Sequence, residues 1–109
     1  MKNLTVLFLA VCTAGAMSAS AADVKENWET HCTKCHGADG AGKTKMGEKL
    51  KVKDYTNVKV QADMKDEAML KAIKGGKKEG DSIRMKAFGE LLNDDEIKAL
   101  VKHIRSFKK

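Results

Sequence analysis

Apolar residues recur at helical spacing in three stretches of the 109-residue chain. Val24, Trp28, His31 and Cys32 fall on one face at i, i+4, i+7 and i+8, which predicts a first helix. Asp23 is placed to cap it, with Glu26 as a capping-box partner. A second helix is predicted from about Met64 to Lys74, capped by Asp63 and stopped by Gly75. Its apolar side is Met69, Leu70 and Ile73. The third pattern is the clearest: Ile97, Leu100, Val101 and Ile104 stand at i, i+3, i+4 and i+7. Asn93 is in the cap position and Glu96 follows at the third place. Asp94 and Asp95 suit the positive helix end, and Lys102 and Arg105 the negative one.

Polar positions dominate between these helices. GADGAGKTKMG and GGKKEGDSIRMKAFG read as two long glycine-rich loops. KVKDYTNVKV alternates weakly, but its lysines and asparagine suit an extended surface loop. No strand is predicted, so the fold class is all-α with three main helices. Long irregular loops in a small domain make sense where they wrap a cofactor.

The most apolar run lies at the start. LTVLFLAVCTAGAM follows Lys2 and leads to the small residues Ala19-Ser20-Ala21 and Ala22. Residues 1–22 are read as a cleaved secretion signal, too short to span a bilayer comfortably. An uncleaved anchor is the alternative. Residues 23–109 then form the single domain, in the periplasm or another exported compartment.

That domain is small for a self-sufficient core, and its aromatics are few: Trp28, Tyr55, Phe88 and Phe107. Chains of this size rely on disulfides, a metal or a large cofactor. Beyond the leader only Cys32 and Cys35 are available, and a bridge between them would close almost no loop. The net charge of +6 suits solubility and a basic face that steers the protein to acidic partners. A nucleic-acid role is disfavoured, because an exported chain carries no interleaved aromatic and basic motif.

The run HCTKCHGADG, residues 31–40, supplies the chemistry. Cys-x-x-Cys-His is the attachment signature of c-type haem. Two thiols one helical turn apart can each add to one vinyl at the edge of the macrocycle. The next residue then turns its imidazole to the iron. Cys32 and Cys35 are the expected thioether anchors of one haem c, and His36 the expected axial ligand. Three rivals compete. A thioredoxin-like pair wants a strand-to-helix junction and a sheet. Zinc wants a fourth ligand, for which only His31 or His103 offers itself. A bare Cys-x-x-Cys disulfide is the plainest reading.

With these residues the chain resembles a small monohaem class I cytochrome c. The resemblance covers nearly all of residues 23–109. It runs from the helix entering Cys32-Thr33-Lys34-Cys35-His36, through Gly37-Ala38-Asp39-Gly40 and KDYTN, to Gly75-Gly76 and MKAFGELLNDDEIKALVKHIRSF. It implies a cytochrome c fold, with first and last helices crossing and loops wrapped around one covalent haem. It also implies Met85 as the second axial iron ligand. The residues alone are less selective. A soft ligand must come from the opposite side, and Met46, Met64 and Met69 are rivals, although Met69 suits core packing. The family often carries proline after this methionine. Here Lys86 stands there, and the chain has no proline. That predicts a looser Met85–iron bond. Arg84, Lys53, Tyr55 and Trp28 are candidate donors to the haem propionates.

The expected role is a soluble, monomeric one-electron shuttle rather than an enzyme. It would dock briefly on redox proteins with acidic faces, without stable membrane insertion after signal cleavage. A haem sensor or catalytic unit with an opened iron is the second reading, and a thiol–disulfide oxidoreductase the third.

Overall fold

The computed structural model describes residues 21–109. The leader read above as residues 1–22 lies outside the described residues, save that Ala21 and Ala22 open the first helix. Among the described residues no helix is long and apolar enough to cross a membrane.

The elements in chain order are α1 (Ala21–His31), α2 (Thr33–His36), α3 (Lys45–Leu50), α4 (Val58–Asp63) and α5 (Asp66–Gly75), then β1 (Lys77–Glu79), β2 (Ser82–Met85) and α6 (Asp94–Arg105). The three expected helices are present as α1, α5 and α6, and α6 packs against both of the others. Ile97 and Leu100 of α6 are its most deeply buried side chains. Each such aliphatic side chain contributes about 1.5–3 kcal/mol on burial. Trp28 and Cys32, Met69 and Ile73, and Phe88 and Leu92 complete the same apolar cluster.

The start of α6 follows the predicted chemistry. The Asn93 side chain accepts from Glu96 N–H at 2.8 Å, and the Glu96 carboxylate accepts from Asn93 N–H at 3.1 Å. Asn27 adds a tie from α1, donating to Glu96 at 3.0 Å.

Four expectations need correction. Helix α1 begins before Asp23, which therefore lies in its first turn and does not cap it. The second helix does not start at Met64. The chain turns at Met64 and Lys65, and α4 and α5 flank the turn. Arg105 enforces that break. Its guanidinium donates to the Gln61 carbonyl at 2.5 Å, to the Met64 carbonyl at 2.6 Å and to Asp66 at 2.8 Å. Carbonyls that a continuous helix would have used internally are thus satisfied from α6. Finally, the loop before Met85 contains a hairpin: β1 and β2 pair antiparallel, with Lys77 opposite Met85 and Glu79 opposite Ser82. The supposed surface loop 51–60 also gains a helical turn, because Asn57 caps α4 by accepting from Lys59 and Val60 N–H.

Candidate functional site

Cys32 occupies the one-residue break between α1 and α2, yet helical hydrogen bonding runs through it. Cys32 N–H donates to the Trp28 carbonyl at 2.8 Å, and the Cys32 carbonyl accepts from His36 N–H at 2.9 Å. Cys32, Cys35 and His36 therefore share one face at i, i+3 and i+4. Neighbouring segments lock this turn. The Thr44 hydroxyl donates to the Cys35 carbonyl at 2.6 Å and accepts from Gly47 N–H at 2.8 Å. Gly47 sits so close that a Cβ there would stand 2.4 Å from the Cys35 carbonyl oxygen. The Trp28 indole N–H donates to the Gly37 carbonyl at 3.0 Å.

Burial, followed by the neighbouring Cys35, pushes the Cys32 thiol up to about 12. Redox-active thiols sit in the opposite environment, where the thiolate is favoured. The motif also lies between two helices and not at a strand-to-helix junction. Both facts count against the oxidoreductase reading. For zinc, no cluster of three or more His, Cys, Asp or Glu placed to hold a metal ion exists among the described residues.

His36 is half-buried, and burial holds its imidazole below the usual range, favouring the neutral, ligating form. Its Nδ1 is buried and has no hydrogen-bond partner. Tyr55 stacks on the ring with centroids 5.2 Å apart and planes at 19°. Trp28 lies at 5.7 Å and is tilted by 39°.

Met85 comes from the far side of the chain, at the end of β2. It is half-buried and packs against the apolar cluster that contains Cys32. Its main chain passes close to Gly76, whose φ of +73° favours glycine. A Cβ there would also stand 2.6 Å from the Met85 carbonyl oxygen. Beyond Met85, Phe88 N–H donates to the Ile73 carbonyl at 2.9 Å and Gly89 N–H to the Lys74 carbonyl at 3.0 Å. The chain after the hairpin is thus laid along the end of α5.

The rivals are placed as follows. Met46 lies half-buried in α3, but Met69 is a core member of the cluster that contains Cys32, and Met64, at the end of α4, packs against that cluster as Met85 does. His31 packs its ring on Phe88 at 5.4 Å, and His103 packs on Trp28 at 5.4 Å. Two candidate propionate donors are engaged: Trp28 with Gly37, and Arg84 with Glu79 and the Leu50 carbonyl.

Residues 19–104 match the family described as cytochrome c oxidase, cbb3-type, subunit III. The chain belongs to the c-type cytochromes. This cytochrome is similar to a solved structure of the KustC0563 c-type cytochrome at 36% identity. The match covers 78% of this chain and 96% of that one, with a TM-score of 0.70. A mutant of Kustc0563 is similar at 36% identity and a TM-score of 0.69, covering 79% of this chain and 99% of the other. No curated protein matches. Membership makes the cofactor a covalently bound haem c and the fold a class I cytochrome c fold. The residues present fit that group. Two thiols and a neutral imidazole share one helical face, the imidazole keeps an unpartnered buried nitrogen, and a thioether packs on the same cluster.

Proposed function

We propose that this cytochrome is a one-electron shuttle whose haem is anchored by Cys32 and Cys35 and ligated by His36 and Met85. The observation that carries this reading is the helical turn that puts Cys32, Cys35 and His36 on one face beside an apolar cluster on which Met85 packs; Met64 packs there too, and the family resemblance of the Met85 segment favours Met85. The bound haem supplies the reversible one-electron couple. Cys32 and Cys35 fix the ring edge to a rigid helical turn. His36 offers a neutral imidazole from that turn, and Met85 a thioether from the hairpin. With His36 and Met85 both holding the iron, oxygen or peroxide would find no free ligand position. A thioether on one side favours the reduced form and raises the potential. The apolar cluster excludes water, so little rearranges when the charge changes.

Lys77, Lys78 and Lys86 are exposed around the segment that ends in Met85. They suit brief docking on acidic redox proteins through a small interface. The mature form is residues 23–109, exported after removal of residues 1–22, monomeric and free of stable membrane insertion.

Carbon monoxide tests the ligand pair. Reduced protein that refuses it at neutral pH supports the shuttle. Rapid and complete binding supports a ligand-binding haem protein, the reading favoured by the exposure of the hairpin beside Met85. Added salt should slow electron exchange with the partner. A rate indifferent to ionic strength rejects the lysine steering.

A further inference from the structure

The hairpin that carries Met85 has few ties to the rest of the chain. Every residue of β1 is exposed, and so are Ser82 and Ile83 of β2. Among the described residues, one side chain bonds the hairpin to another element. It is Arg84, the residue before Met85. Its guanidinium pairs with Glu79 on the opposite strand and donates to the Leu50 carbonyl at 3.5 Å. Leu50 ends α3, where carbonyls lack partners within the helix. A guanidinium presents its donors in a fixed fork, so one group can serve a carboxylate and a carbonyl together.

The groove beneath this contact shows the same two walls facing each other. Lys49 and Leu50 line it from α3, and Glu79, Ser82 and Ile83 from the hairpin. Helix α3 is in turn fixed to the attachment turn. The Thr44 hydroxyl that caps α3 donates to the Cys35 carbonyl at 2.6 Å, and Gly47 packs against that same carbonyl. A path of contacts therefore runs from Met85 through Arg84, Leu50 and α3 to Cys35, outside the apolar cluster. It joins the two proposed walls of the haem crevice.

We propose that Arg84 is a positioning residue for Met85: it clips the hairpin to the end of α3, and Glu79 holds its guanidinium in place. The proposal rests on Met85 being the axial ligand. The Arg84 and Glu79 side chains stay 38% and 70% exposed. Ion pairs open to water are weak, so the clip holds the hairpin closed and still lets it release. An external ligand then reaches the iron at a rate set by how often the clip opens.

The ferric holoprotein tests this with neutral imidazole as the probe, read beside the methionine–iron absorption band. Arg84→Ala is expected to speed imidazole binding roughly tenfold, the equivalent of about 1.4 kcal/mol. It should also weaken the band while the haem stays attached. Glu79→Gln leaves the Leu50 contact and is expected to speed binding about threefold, within the range of an exposed ion pair. The double variant should match Arg84→Ala, because Glu79 acts through Arg84. Imidazole binding at the wild-type rate in Arg84→Ala overturns the proposal. So does a fast Arg84→Ala beside an unchanged Glu79→Gln, which would give the guanidinium to a haem propionate instead. If Arg84→Ala does not fold, Arg84→Lys decides, since it keeps the charge and loses the fork. Faster binding is expected there, and the wild-type rate overturns the clip. Met85→Ala separates the two levels. In that background Arg84→Ala should no longer change the imidazole rate, and an effect that survives overturns the clip. A Met85→Ala protein that keeps the band rejects the ligand reading itself.

Discussion

The two proposed sides of the haem crevice are built by different means. The Cys32–His36 side is local. Three functional side chains come from five consecutive residues, and main-chain hydrogen bonds at 2.8 and 2.9 Å run through them. The Met85 side is remote and thin. It depends on a seven-residue reach of short strands, in which every residue of β1 is exposed. One proposed ligand is placed by helix geometry, the other by where a hairpin is pinned. The expected looseness of Met85 therefore has its seat in the hairpin and its anchor at Gly76, as well as in Lys86.

The most drastic way to break the comparison is to remove the local side. Replacing both Cys32 and Cys35 by Ala should make the haem extractable by acid acetone and leave the purified chain largely unfolded by circular dichroism. A folded, permanently red double variant would refute the covalent anchor. The remote side is probed by Gly76→Ala. A left-handed φ for a non-glycine residue costs of order 1–3 kcal/mol, and the new Cβ meets the Met85 carbonyl at 2.6 Å. The methionine–iron absorption band of the ferric protein should weaken or vanish while the haem stays attached. Gly75→Ala is the control, since nothing lies within 4 Å of its Cβ site at the end of α5. It should leave the band intact and stabilise by about 0.4–1 kcal/mol in denaturant unfolding.

A smaller effect sharpens the contrast by touching neither ligand. Asn93→Ala removes the cap of α6 and should cost about 1 kcal/mol in chemical denaturation, with no spectral change. The smallest concerns His103. Burial, and then Lys25, holds its imidazole below the ordinary value of 6.5. The unfolded chain therefore binds the proton first as pH falls. The His103 contribution is fully present above pH 6.5 and declines as pH drops through it. Thermal melts of wild type and His103→Phe between pH 7.5 and 5 (roughly the span over which a free imidazole titrates) should differ in slope, the variant being flatter.

The same division explains what was legible in the sequence. The turn holding Cys32, Cys35 and His36 is set by spacing within one helix, so five letters suffice to place it. The α6 capping box and apolar stripe are equally local. The break at Met64 was hidden because its cause, Arg105, lies some forty positions downstream. The hairpin was missed because its strands are polar and exposed, with no period-2 apolar pattern to betray them. One signal was present: Gly80-Asp81 is a two-residue loop of the kind that joins paired strands. Met85 was reached through family resemblance, since no local rule distinguishes it from the other methionines. The pinning contact at Gly76 and the stack on His36 exist only once distant segments meet.

The Arg105 clamp has a consequence for motion. One guanidinium closes the α4–α5 turn from α6, so these helices are expected to exchange their amide protons as a single cooperative unit. The hairpin shares none of those bonds and can open at lower free energy. Breathing of the thioether ligand would then be decoupled from global unfolding, leaving the covalently tethered ring in place while one wall of its crevice swings away and returns.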